Sequence, residues 1–158
     1  MDLPEERPVP LDEFDAAPSS DAASELVACC ASRRWVGQLV KGRPYLSLDR
    51  LTAASDSALA ALSWQDITQA LAVEPRIDQP RIGGRIGDNT ARRLAEANLA
   101  YEQRFGHVFL ISTAGLSFES MLASLQRRLH NDPVAEQTAV RTELAKIVRL
   151  RLAKAFTD

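Results

Sequence analysis

Read for the spacing of its apolar positions, the chain is helix after helix. Leu11 to Ala16 predicts a short helical turn, and Pro18-Ser19-Ser20-Asp21 is a start signal in which Ser and Asp side chains can accept from the free N–H groups of a new helix. That helix is predicted to run to about Cys30. Leu26, Cys29, Cys30 and Arg33 fall at i, i+3, i+4 and i+7, and the charged last member places a break or a second helix around Ser32. Trp35, Val36 and Leu39 continue the apolar surface until Gly42-Arg43-Pro44 stops it. Leu48 and Leu51 begin another short helix. Ser63 then predicts an N-cap, with Asp66 at the capping-box position and Trp64, Ile67, Ala70 and Leu71 on one face.

The pattern breaks at Glu74-Pro75-Arg76-Ile77-Asp78-Gln79-Pro80-Arg81-Ile82-Gly83-Gly84-Arg85-Ile86-Gly87. Each Pro pushes the residue before it out of the α region, so neither Pro-Arg-Ile lies inside a helix. Arginines on a Pro-stiffened, Gly-bent loop suit an anionic ligand; the plain alternative is a solvated connector. Beyond it, Leu94, Asn98, Tyr101 and Phe105 share one helical face, and Gly106 sits where a helix end wants a left-handed residue. Asn98 on that face needs partners if buried, as a structural clamp on a nearby loop would have. His107 to Ser112 is too short for a helix and reads as extended and buried. Ser117 caps a helix carrying Met121, Leu122, Leu125 and Leu129, and Asp132-Pro133 opens a last helix to about Phe156.

That last helix holds an anomaly. Val140, Leu144, Ile147, Val148, Leu152 and Ala155 make one apolar face, and at ~100° per residue Arg151 falls inside it while Arg149 points away. A guanidinium there is either paired with a buried carboxylate or anchors a carboxylate ligand.

Composition narrows the classes of function. With 158 residues, 46% apolar and 25% charged, the chain has the balance of one globular domain, residues 11–158, behind a flexible acidic tail over 1–10. A net charge of -2 and a pI near 5.7 argue against nucleic acid as the partner. No apolar run approaches the ~18 residues of a membrane span. Cys29 and Cys30 are adjacent and fit neither a disulfide nor a zinc site, so no metal and a reducing cytoplasm are expected.

Dispersed motifs then carry a resemblance. Phe14-Asp15-Ala16-Ala17-Pro18, Cys30-Ala31-Ser32-Arg33-Arg34-Trp35, Gly42-Arg43-Pro44-Tyr45, Pro80-Arg81-Ile82-Gly83, Asn98-Leu99-Ala100-Tyr101-Glu102, Arg104-Phe105-Gly106-His107-Val108-Phe109, Arg128-Leu129-His130-Asn131-Asp132 and Glu143 to Leu152 together resemble 2-oxo-4-hydroxy-4-carboxy-5-ureidoimidazoline (OHCU) decarboxylase, in order and over nearly the whole chain. The resemblance implies an all-α, single-domain multi-helix bundle. It implies a cofactor-free, homodimeric lyase that takes a small anionic substrate, releases carbon dioxide and gives (S)-allantoin at the end of urate breakdown.

It also exposes a departure. The family carries a catalytic His in His-Pro-Arg-Ile-Gly, and here that place is held by Glu74 if the preceding helix sets the register, or by Gln79 if Pro-Arg-Ile-Gly does. The family's Ser-x-x-Glu-Gln segment has no room between Gly83 and Asp88. The resemblance leaves a substrate-binding set of Pro80, Arg81, Ile82 and Gly83, the backbone of Phe109, Leu110 and Ile111, and Arg151 for the substrate carboxylate. His107 reads as packing or as a replacement acid/base, and His130 as a surface residue. Three readings follow: a decarboxylase with altered acid/base machinery, a scaffold turned to another small carboxylated heterocycle, and a non-catalytic binding or partner subunit.

Overall fold

The computed structural model describes residues 7–77 and 87–158, so Gln79, Pro80, Arg81, Ile82 and Gly83 lie outside the described residues. Among those described, eight helices follow one another: α1 Leu11–Ala16, α2 Ser19–Val27, α3 Arg33–Lys41, α4 Leu48–Ala60, α5 Trp64–Leu71, α6 Asp88–Phe105, α7 Phe118–Arg128 and α8 Pro133–Ala155. The fold class is all-α. The chain divides into two compact units, one of residues 7–66 and 145–158, the other of residues 67–144.

In the first unit α3 packs on α2 and α4 around Leu26, Trp35, Leu39 and Leu51, all at most 1% exposed. Ser32 starts α3 by accepting from the Trp35 N–H at 3.3 Å, which is the break that the charged Arg33 position predicts. Trp35 is then fixed at its far end, its Nε1 donating to Ser55 Oγ at 3.1 Å, so the largest core side chain buries no unpaired N–H. Arg43 crosses the unit's loops, donating to the carbonyls of Val40, Phe14 and Ala17.

Several boundaries differ from the expectation. No Ser or Asp side chain caps α2; the Pro18 carbonyl accepts from the N–H groups of Asp21 and Ala22 and does that work through the backbone. The helix ends at Val27 rather than near Cys30, because the N–H groups of Cys29 and Cys30 both turn back to the Leu26 carbonyl. The helix from Leu48 is not short, running 13 residues. Phe156 leaves α8 for a two-residue strand, β2 (Phe156–Thr157), that pairs in parallel with β1 (Val9–Pro10). Its ring lies 4.8 Å from that of Phe14. Non-helical core is thus not confined to the buried run predicted from His107 onward: Cys29, Cys30, Tyr45 and Phe156 are buried outside helices too.

The second unit is built on α6 against α7. Leu94, Ala97 and Tyr101 of α6 meet Met121, Leu122 and Leu125 of α7, with Ile77, Phe109 and Ile111 closing the cluster. Gly106 ends α6 at φ 81°, a left-handed conformation open to glycine at little cost, and its N–H bonds to the Glu102 carbonyl. The reversal sends His107 to Ile111 back along the cluster. There Phe109, Leu110 and Ile111 are buried, His107 and Val108 half-buried, and the segment forms no strand.

Candidate functional site

The non-helical run Phe109–Ser112 is held by charged side chains. Arg128 Nη1 donates to the Leu110 carbonyl at 2.7 Å, with its guanidinium carbon 4.4 Å from the centre of the Phe109 ring. Two residues on, the Ser112 N–H donates to Glu143 Oε1 at 3.2 Å. Arg128 in turn is paired with Glu136, which is 1% exposed and also accepts from Tyr101 Oη at 2.8 Å and Asn131 Nδ2 at 3.2 Å. Burial, and next the bond to the Glu136 carboxylate, push the Tyr101 phenol well above its ordinary pKa, so it stays a donor. Such a buried pair contributes little net stability but leaves an uncompensated charge if one partner is removed.

This clamp has a directional consequence. In extended chain, the backbone groups of alternate residues point to opposite sides. Along this run Leu110 and Ser112 are the residues whose backbone is taken, and Phe109 and Ile111 alternate with them. Among the described residues none hydrogen-bonds the backbone of Phe109 or Ile111. That edge is the arrangement a planar ligand with adjacent donors and acceptors needs.

A cleft of about 250 Å³ opens in the same unit, lined by Thr68, Leu71, Ala72, Glu74, Arg76, Glu102, Gly106, His107 and Val108. Thr68 and Leu71 come from the end of α5, Ala72 from the turn after it, and Glu102 from the last turn of α6. Arg76 grips Glu102 through two bonds of 2.7 and 2.6 Å. Glu74, half-buried, lines the cleft with His107.

Arg151 belongs to the first unit. It is half-buried and donates to the Cys29 carbonyl at 3.0 Å, while Arg149, exposed as its helical angle requires, grips Asp56. Burial pushes the Cys29 thiol up to about 11, the positive charge of Arg151 opposing the rise. Both cysteines are free thiols. Asn98 is 1% exposed, and neither its Nδ2 nor its Oδ1 has a hydrogen-bond partner among the described residues, so it does not clamp a described loop.

Arg128 and Glu136 were not among the residues the sequence singled out. The signal was present: Glu136, Val140, Leu144, Val148 and Leu152 are spaced by four and all buried, so the stripe of α8 extends one turn further towards its start than the apolar residues mark. Arg128 likewise falls on the stripe of Met121 and Leu125.

With this geometry in place, the comparisons with known proteins decide the family. A family model described as OHCU decarboxylase matches residues 15–153. The chain belongs to the OHCU decarboxylase family. It is 26% identical over 152 residues to the uric acid degradation bifunctional protein TTL of Arabidopsis thaliana, covering 85% of this chain and 47% of that protein. Against an OHCU decarboxylase of Amia calva it is 36% identical over 84 residues, 52% of this chain and 48% of that one. The chain thus spans about half the length of the curated relatives it matches. Among solved structures, an OHCU decarboxylase crystallised in the presence of (S)-allantoin superposes with a TM-score of 0.79 at 27% identity, covering 85% of this chain and 98% of that one. An (S)-allantoin synthase shares the fold, with a TM-score of 0.76 at 20% identity over 94% of this chain and 54% of that one.

Of the residues expected at an OHCU decarboxylase site, Glu74, Phe109, Leu110 and Ile111 fall in the second unit and Arg151 in the first. Among the described residues no group of three His, Cys, Asp or Glu side chains is placed to hold a metal ion, and no helix is long and apolar enough to cross a membrane.

Proposed function

We propose that this protein decarboxylates OHCU to (S)-allantoin without a cofactor, in the cytoplasm and as a homodimer. The observation that carries the reading is the Phe109–Ile111 edge. A ureido-substituted ring presents N–H donors and carbonyl acceptors side by side, and a buried backbone edge whose alternate residues are already clamped matches them with little reorganisation. Arg151 is assigned the substrate carboxylate, since a guanidinium fork suits that group. Loss of carbon dioxide beside the ring leaves an enolate-like carbanion, which needs electrostatic stabilisation and a proton delivered to one face. The family relatives named above support the substrate, and the free thiols are in keeping with a reducing compartment.

The test is the rate and handedness of allantoin formed from OHCU with and without the protein. A single enantiomer formed faster than in buffer is expected; a racemic product at the buffer rate overturns the reading. The chain's passage from Gly83 to Asp88 without the family's Ser-x-x-Glu-Gln favours a second reading, a related reaction on another small carboxylated heterocycle. It predicts binding of such a carboxylate with no acceleration of OHCU loss. Sedimentation at micromolar concentration tests the dimer.

A further inference from the structure

We infer that Asn98 is a ligand-selecting residue: its side-chain amide, buried in the second unit, pairs with an uncharged ureide edge, an N–H beside a C=O. The class of ligand rests on the decarboxylase reading above, to which Asn98 adds a residue that selects for it.

Asn98 costs the fold twice. It stands in the middle of α6, where asparagine is a poorer helix former than leucine or alanine. It is also 1% exposed, and among the described residues neither its Nδ2 nor its Oδ1 meets a hydrogen-bond partner, so the desolvation of both is uncompensated. The other buried polar side chains described all have partners. Ser32 accepts from the Trp35 N–H, Ser55 accepts from Trp35 Nε1, and Arg128 and Glu136 hold each other. A fold that provides for these and leaves Asn98 unmatched has no use of its own for the amide. Polar groups that break such a rule concentrate where a protein binds or reacts.

The residue type names the ligand. A primary amide sets an acceptor beside a donor group in one plane. A carboxylate only accepts and would leave Oδ1 unpaired; an ammonium only donates and would leave Nδ2 unpaired. A ureide edge answers both at once, and away from water each of those bonds is stronger than on a surface. Selectivity follows, because an analogue lacking the N–H strands a buried oxygen.

Helical angle places the amide. At ~100° per residue Asn98 lies ~40° round α6 from the fully buried Leu94 and ~40° short of Glu102, which lines the cleft. Asn98 is not itself a lining residue. It stands one turn before Glu102, on the flank of α6 where the core cluster of Leu94 and Tyr101 gives way to the cleft wall. At 1% exposure it meets a ligand only where that ligand is itself enclosed, and the cleft's 250 Å³ falls below the ~300 Å³ at which drug-sized pockets begin. The occupant is therefore one small heterocycle or part of one.

Asn98→Leu and Asn98→Ala test the assignment. The first keeps the branched outline of the side chain, the second removes it, and both take away the polar atoms. At least one of the two should match or exceed the wild-type midpoint in urea, while both should weaken calorimetrically measured binding of (S)-allantoin by ~10-fold or more. On the unaltered protein, titration with (S)-allantoin should move the side-chain amide resonance of Asn98. Lower midpoints in both variants overturn the inference, because the amide then serves the fold. Unchanged affinity in a protein of wild-type stability, as an amide holding only solvent would give, overturns it too, and so does an Asn98 resonance that stays in place. Each of those results leaves the decarboxylase reading standing if the wild-type protein accelerates OHCU loss. Loss no faster than in buffer overturns both.

Discussion

Arg128 and Arg151 occupy equivalent situations in the two units and have come to different ends. Each sits on the apolar stripe of a helix and donates to a backbone carbonyl outside any helix, Leu110 for the first and Cys29 for the second. Arg128 is 9% exposed and held by a carboxylate that is itself buried, with Tyr101 and Asn131 completing the set. Arg151 stays half-buried, and the family resemblance assigns it the substrate carboxylate. A charge out of pattern on a helix stripe thus marks a position worth examining without saying whether it serves the fold or a ligand. For Arg128 the buried Glu136 carboxylate beside it shows that it serves the fold.

The largest expected effect breaks the first arginine's arrangement. Glu136→Ala should destabilise the protein by ~3 to 5 kcal/mol in urea denaturation, because Arg128 is left buried without its partner. Replacing both, Arg128→Met with Glu136→Leu, should recover most of that loss while freeing the Leu110 carbonyl, so allantoin binding should weaken in a protein of near-normal stability. Equal losses of stability in the single and double variants would show the pair to be a plain stabilising contact.

Next comes a pH effect at the second arginine's contact. At pH 10 the native state retains the Cys29 proton, held to about 11, while an unfolded thiol with its ordinary value of 9.0 gives it up. The native state then binds more protons, so stability is unaffected below pH 9 and falls as pH rises towards 11, by ~2 to 3 kcal/mol at most. Tyr45 and Tyr101, both raised by burial first, act in the same direction. Cys29→Ser should flatten the thiol's share of that decline in denaturation midpoints measured from pH 8 to 11; an unchanged slope would mean the thiol is not the titrating group.

Arg151→Ala should weaken calorimetrically measured binding of a small carboxylated ligand by ~1.5 to 3 kcal/mol, the range for a charge-assisted bond, with the fold intact. Unchanged affinity would make Arg151 a second Arg128. Smallest is Ser32→Ala, which removes a cap and should cost ~1 kcal/mol in stability with no change in binding.

Most of the helical plan was legible because caps and stripes are local. Ser32, Ser63 and Ser117 each accept from an N–H three residues on, and Gly106 takes the left-handed turn its position demands. The placement of Arg151 inside the α8 face and Arg149 outside it followed from helical angle alone. The buried Tyr101–Glu136–Arg128 set was not read, since its members are far apart in sequence and each alone looks like an ordinary polar residue. The Phe109 and Ile111 edge was reached through resemblance. Its physical basis, a clamp on the alternate residues, depends on side chains from α7 and α8 that no local pattern connects to it.

The parallel pairing of Val9–Pro10 with Phe156–Thr157 bears on how the protein is made. One compact unit is contiguous, residues 67–144, whereas the other needs residues 145–158 to complete a core begun at Leu11. During synthesis from the N-terminal side, the middle of the chain has all its partners before the beginning does. The early helices α1 to α4 must therefore wait with Phe14 uncovered until Phe156 arrives, a long-range closure of the kind that slows folding. On the nascent chain, of these two units the one begun earlier is the one completed later.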